Sequence, residues 1–378
     1  MTNVVRWIMV ALLTGHGLIH LLGAAKGVGS AEVNQLQQPI GVGAGVLWLL
    51  AALLVLAAAA LLAIGAPTWW WVLAASAAVL SQVAVATSWS DAKAGTAINV
   101  LLVLGAAYGF ASLGPLSFHA QWREQATRAL ADVEPGRSDV EEADLDPLPE
   151  PLAAYVRRSG AVGRPRVTSL HADIHGRIRS GPDEAWMPFT GKQVNTYGPH
   201  PQRAFIIDAT RSGVPVTVLH LYAGATATMR AKALSLATVV DASGPEMDRG
   251  ETVTVFNDLV VLAPGAIVDA PVHWTAIDAD HVRGVYSDGE QSVSAVLTFS
   301  SEHDLVNFVS RDRYRASTDG RSFQRQDWST PLAPYRPTDA GRLPTVGEGR
   351  WNAPEPDGEF TYVEFHVDAI HYNVRSAG

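Results

Sequence analysis

Apolar residues dominate the first third of this chain and then give way. Four stretches, roughly 5–25, 40–64, 69–88 and 96–118, are apolar almost without interruption. Each suits the ~20 helical residues that cross a hydrocarbon core. Trp7, Trp69 to Trp71 and Trp89 stand near their ends, where indole rings anchor at a bilayer interface. The first stretch is too long for a cleaved signal peptide and is followed by three more spans, so it is expected to stay in the protein. Gly41/Gly45 and Gly105/Gly109 repeat at four-residue spacing, which lets membrane helices approach closely.

Beyond residue 118 the pattern changes twice. HAQWREQATRALADV alternates as an amphipathic helix, and EPGRSDVEEADLDPLPEP is acidic, rich in proline and poor in bulky apolar groups, the composition of an extended tether. From residue 148 short runs of strand-like alternation follow one another, among them RAFIIDAT, VPVTVLHLYA and QSVSAVLTFS. Asp288-Gly289 marks a hairpin turn between two of them. LPEPLAAYVRRSG predicts a short helix with proline in its first turn and Gly160 as its stop. DRGETVTVFNDLVVLA predicts a second, with Asp248 as cap and Glu251 closing a capping box. The expected fold is an α-helical four-span membrane bundle followed by a mainly antiparallel β (α+β) domain, a curved sheet or half-barrel. Its expected parts are the spans (1–118), the amphipathic stretch and acidic linker (119–147) and the β-rich domain (148–378).

Charge sharpens this division. Residues 1–118 hold Arg6, Lys26, Lys93, Glu32 and Asp91, a formal +1, so −10 of the whole-chain −9 falls on the remainder. Such an acidic soluble part lacks the positive footprint of sequence-independent nucleic-acid binding. With no cysteine, thiolate metal sites, disulfides and cysteine nucleophiles are excluded. Arg6, Arg123 and Arg128 flank one membrane face and Lys26 and Lys93 the other. This leans towards a bacterial plasma-membrane protein with its amino terminus and β domain on the cytoplasmic side.

Ionisable groups inside the apolar runs are the first candidates for function. His16 and His20, four apart, share one helix face. Tracing the chain across the membrane places Ser81, Gln82, Thr96 and Asn99 in the same leaflet. The two imidazoles are expected to hydrogen-bond with Ser81, Gln82 or Asn99 and hold the helices in register. A functional pocket is the alternative, and a metal is disfavoured because no third ligand lies within reach. In the soluble part there is no GxSxG, HExxH, phosphate loop or GxGxxG, so no catalytic residue, metal or cofactor is assigned. His273, Asp278, Asp280 and His281 fit turn chemistry better than a metal site, and His171 and His175 fit surface strand positions. Arg311, Arg313, Tyr314 and Arg315 form a possible charged rim for an anionic headgroup. Trp186, Phe189, Tyr197, Trp274, Phe299, Phe308, Trp328 and Trp351 line either a pocket or a sealed core.

The succession LPEPLAAYVRRSG, GRPRV, GPEMDRGETV…FNDLVVLAPGAI, DRYR and GRLPTVGEGRW resembles an uncharacterised family of bacterial multipass membrane proteins. HGLIHLLG and SWSDAKAGTAIN near the amino terminus are similar to membrane segments found with it. The hairpin succession also resembles, in architecture, the lipoprotein-localisation-factor fold, a curved sheet cupping helices around an apolar cavity. Neither resemblance brings an activity. The expectation is a membrane-anchored protein whose β domain binds a lipid or other hydrophobic ligand, with the bilayer as partner. It rests on a curved sheet that can provide an apolar cavity and a membrane bundle that keeps it beside its ligand supply. The alternatives are a redox or hydrolytic membrane enzyme using the His16/His20 region, and a structural or signalling module that binds a protein partner.

Overall fold

The computed structural model describes residues 3–34, 36–133, 136, 138–317 and 319–377. The chain divides into two compact units, one of residues 1–120 and the other of nearly all the rest.

The first unit holds α1 (Asn3–Gly27), α2 (Val42–Ile64), α3 (Trp70–Thr87), a single turn α4 (Trp89–Ala92) and α5 (Gly95–Leu113). The four long helices are long and apolar enough to cross a membrane. Their outward side chains are apolar too: Leu53, Val79 and Leu104 are each more than half exposed. An all-apolar helix surface suits an apolar solvent and leaves every backbone polar group to its own helix. Glycine brings α1 onto α2. A Cβ on Gly45 would lie 2.8 Å from the Gly27 Cα, one on Gly17 would meet Leu56 at 2.7 Å, and one on Gly23 would enter the Trp48 ring. Gly105 and Gly109 face Trp70 and Trp71, and Gly41 faces open space. The buried Trp70 indole donates to the Ala58 carbonyl at 2.9 Å, tying α3 to α2.

The second unit opens with α6 (Phe118–Ala131) and contains α7 (Glu150–Ser159) and α8 (Pro245–Leu262). Six strands form its first meander: β1 (Ser169–Ile178), β2 (Met187–Thr196), β3 (Gln202–Arg211), β4 (Val214–Ala223), β5 (Thr226–Ala233) and β6 (Ala237–Ser243). After α8 come β7 (Val272–Ala276), β8 (His281–Asp288), β9 (Gln291–Phe299), β10 (Leu305–Ala316) and β11 (Phe323–Ser329). The hairpin β12 (Tyr335–Thr338) and β13 (Gly341–Pro344) leads to β14 (Val346–Asn352) and β15 (Glu359–Tyr372). Thirteen strands make one antiparallel sheet in the order β6-β5-β4-β3-β2-β1-β15-β14-β11-β10-β9-β8-β7.

This sheet curls into a half-barrel around α8. Its two ends come together at side-chain level: the Tyr222 hydroxyl donates to Asp288 at 2.6 Å, and the β10–β11 turn at Gly320 abuts Val240 and Ala242 of β6. α8 is therefore buried on every side from Gly250 to Leu262 apart from Thr254, the burial expected of a core helix and not of a surface one. α6 covers the convex face, where the Trp122 indole donates to the Ala204 carbonyl at 3.0 Å.

Two local expectations change. α8 begins at Pro245, three residues before the expected cap, because proline is well suited to the first helical turn. Asp248 accepts the Ala227 backbone N–H at 2.7 Å instead of capping, and Glu251 turns inward. The second half of the acidic stretch is not a free tether. Val140 and Leu145 are buried, Asp139 and Val140 bridge to Pro165 and Val162, and Arg166 binds Asp144 and Asp269. Two apolar side chains in that acidic run suffice to dock it. Glu134, Pro135 and Arg137 lie outside the described residues.

Candidate functional site

Buried polar side chains cluster at two places. The first lies among the apolar helices. His16 and His20 project from one face of α1, their rings in edge contact at 4.6 Å. Ser81 of α3 stands between them: its hydroxyl donates to Asn99 Oδ1 at 2.6 Å. The lone pairs of that hydroxyl then accept from His20 Nε2 at 2.7 Å and His16 Nε2 at 3.0 Å. Asn99 Nδ2 donates to Gln82 Oε1 at 2.9 Å, and Gln82 Nε2 donates to Thr96 Oγ1 at 3.2 Å. All the donations run one way, from the imidazoles on α1 towards Thr96 at the start of α5, so each bond polarises the next. The structure thus brings His16, His20, Ser81, Gln82 and Asn99 into one connected chain. His20 Nδ1 is buried without a partner.

The second cluster lies under α8. Glu251 and Asp258, two turns apart, both face the sheet, where β-strand alternation presents polar side chains. Asp258 accepts from Arg203 Nε (2.8 Å), Gln193 Nε2 (2.8 Å) and Asn195 Nδ2 (3.1 Å). Glu251 accepts from Arg313 at 2.8 Å, with Arg203 and His220 each at 3.5 Å. Burial by itself would raise the Glu251 pKa. Arg313, His220 and Arg203 outweigh it and hold the carboxyl well below its ordinary value, while Arg313 is raised in turn. The Arg313 guanidinium lies 5.1 Å above Trp328 and 5.9 Å from Trp351. Each of these buried charges has an opposite charge beside it, although Arg313 Nε is left without a hydrogen bond, and the pairing favours one arrangement of α8 against the sheet.

Arg311, Arg313, Tyr314 and Arg315 do not form one rim. A bulge after Ser310 breaks the alternation of β10 and sends consecutive side chains to different surroundings. Arg311 is exposed beside Asp327, Arg313 is the interior partner of Glu251, Tyr314 lies half-buried opposite Arg325, and Arg315 binds Asp357. Asp312, between them, is held low: burial raises it, but Arg249 and the Ser294 N–H outweigh that. Asp278 makes the β7–β8 turn, accepting the Asp280 N–H and binding His281, while His273 is exposed on β7. His171 and His175 both lie on the convex face of β1, His171 tilted against Trp122. Phe299, Phe308, Trp328 and Trp351 are buried together with Phe256 of α8 and form a sealed core. Among the described residues no three His, Asp or Glu side chains are placed to hold a metal ion.

The segments that build the second cluster, from Arg203 through α8 to Arg313, fall within a stretch matched by a family model. That model, a family of unknown function (DUF6544), covers residues 138–365. The chain belongs to the DUF6544 family. No curated protein matches it. Among solved structures it is similar to a DUF1329 family protein from Desulfovibrio piger, with 12% identity and a TM-score of 0.33 over 63% of this chain and 95% of that one. It is also similar to a domain assigned to outer membrane lipoprotein sorting from Vibrio parahaemolyticus, with 10% identity and a TM-score of 0.32 over 58% and 91%. Both likenesses are distant and bear on neither ligand nor activity. Sequence reasoning missed Glu251, Asp258, Arg203 and His220 of this DUF6544 region. The signal was weak, since α8 also carries Glu246, Asp248 and Arg249, and only Asp258, set in the more apolar second half of the helix, stands out.

Proposed function

We propose that this chain is a membrane-anchored binding protein whose apolar helices span a bacterial plasma membrane and whose β domain takes up a lipid or other hydrophobic ligand. One observation carries the second half. The half-barrel interior is filled by α8, so a ligand must enter at an end, and the C-terminal end of α8 has a cleft. There a void of about 60 Å³ lies between residues 197–201 and 264–271, bordered by Val167, Tyr197, Leu259, Ala266 and Tyr286. The Tyr197 hydroxyl is buried beside it with no hydrogen bond of normal geometry. Largely apolar walls with a few polar groups, Tyr197, Thr168 and Asp269, suit an amphipathic molecule. The void admits only the tip of a chain, so uptake requires the 3₁₀ segment Pro264–Asp269 to move outwards.

The intramembrane chain of His16, His20, Ser81, Gln82 and Asn99 serves as a packing network in this reading. Both Nε2 atoms are committed to hydrogen bonds, which favours register-keeping over catalysis. The test is organic extraction of the full chain purified in detergent, followed by mass spectrometry. A discrete lipid class should be recovered from the wild type, less from Tyr197→Phe, and little from Ala270→Trp, which plugs the cleft mouth. Equal recovery from wild type and Ala270→Trp, or no lipid from either, would end ligand uptake at this cleft.

A further inference from the structure

Apart from the cleft beside α8, the β domain has a groove of about 510 Å³ beside the last strand. β14 pairs with β15 only as far as Val346↔His366, and the next bond on that side, Val367 N–H to Thr345 O, is the last. β15 continues to Tyr372, paired with β1 alone. Its other edge, from Val367 to Ile370, borders the groove, and Arg336 to Asp339 of the β12–β13 hairpin form the opposite wall. A strand edge left open within a groove is a template for one more strand.

The side chains around that edge are also uncommitted. Among the described residues Arg336 has no hydrogen bond or ion pair, and Thr345 Oγ1 is buried without a partner. At the bulge the Asp368 carboxylate binds His175 Nδ1 at 2.7 Å, and both residues line the groove. The His175 ring stacks on His366 at 4.8 Å and 9°, making a flat platform at one end of the groove. Asp339 sets a negative charge near Arg336, which disfavours a polyanion and suits a ligand with a single carboxylate.

We propose that this groove binds an extended polypeptide segment of a partner protein, which adds a strand to β15 and places a carboxylate, from an acidic side chain or a chain terminus, on Arg336. Backbone pairing supplies the affinity and Arg336 the register. This is independent of the cleft at Tyr197. The probe is a phage-displayed library of random octapeptides, selected on the full chain in detergent micelles and followed by anisotropy with the enriched peptides.

Enriched peptides should carry an acidic residue or a free carboxyl terminus at a fixed position. N-methylation of alternate backbone nitrogens should weaken binding about tenfold or more, while methylation of the intervening ones should not. Arg336→Ala, at an exposed position without contacts, should weaken binding by a similar factor. No enrichment, or peptides indifferent to both N-methylation and Arg336→Ala, would overturn the proposal. Complete displacement by millimolar inorganic phosphate or acetate would overturn it as well, by showing a small-anion site.

Discussion

Replacing Glu251 by Gln keeps its shape and removes its charge, leaving the Arg313 guanidinium, wedged between Gly250 O and the Trp328 and Trp351 rings, without a carboxylate. Arg203 keeps Asp258 at 2.8 Å, so the loss falls mainly on Arg313. Breaking a buried ion pair by removing one partner costs about 3–5 kcal/mol, because a desolvated charge is left behind. For a domain of this size, that is a fall in Tm of roughly 6–20 °C. Differential scanning fluorimetry of the full chain in detergent reads it, and Trp328 and Trp351 contribute to the tryptophan emission alongside the other nine tryptophans. The pair itself can then be separated from its orphan: Glu251→Leu with Arg313→Met should recover most of the loss.

The same group sets an acid limb. Its folded pKa lies below its unfolded one, so between the two the unfolded chain binds the extra proton, and stability rises with pH. The contribution is complete above the unfolded carboxylate range near pH 4–5 and disappears as pH falls through the folded value. Glu251→Gln should therefore flatten the acid side of a stability–pH curve and lower its neutral plateau. A loss under about 1 kcal/mol, or a double variant as unstable as the two single variants summed, would refute a buried, energetically coupled pair.

Three further outcomes follow from the first unit and its connections. Ser81→Ala removes the hydroxyl shared by His16, His20 and Asn99, and at about 0.6 kcal/mol per intramembrane bond it should cost roughly 1–2 kcal/mol in SDS titration of the refolded protein. Val at Gly27, introduced as Gly27→Val, should cost more, because its Cβ meets the Gly45 backbone and helices must separate; overpacking of this kind costs about 1–3 kcal/mol. Equal melting of the variant and wild type would show that α1 and α2 do not meet there. Since the chain has no cysteine, single cysteines report topology directly. In intact cells a membrane-impermeant maleimide should label Ser30→Cys and spare Arg321→Cys if the β domain is cytoplasmic, and the reverse pattern would place it outside.

The broad fold was legible because its signals are long and redundant. Twenty-residue apolar runs give long apolar helices, and alternation between turn residues gives antiparallel strands. The histidine network could be located for the same reason: polar groups in an apolar run stand out, and tracing successive antiparallel helices brings those of α1, α3 and α5 to the same level. The α8 cluster escaped because Glu251 has an ordinary explanation at a helix start, three residues after Asp248. Only the wrapping of β3, β4 and β10 around α8 makes that carboxylate interior. The Arg311 to Arg315 group failed as a rim for a related reason, since one bulged residue in β10 re-aims every side chain after it. Nothing in local composition marks such a bulge. The open edge of β15 was equally hidden, as it depends on where β14 stops.

The pairing of β1 with β15 joins the first strand of the sheet to the last, across nearly the whole β domain. Each half on either side is a run of neighbouring hairpins that can pair as soon as it is synthesised, but the seam between them waits for the final strand. Chains cut short of residue 359 would hold two half-sheets with raw edges and a half-wrapped α8. Nascent chains pass through that state at every round of translation, a slow closing step with exposed strands. Attachment to the preceding helices would keep each incomplete domain apart from its neighbours during that interval. On this view the apolar helices act first as a spacer for assembly, and β15 is the clasp that ends it.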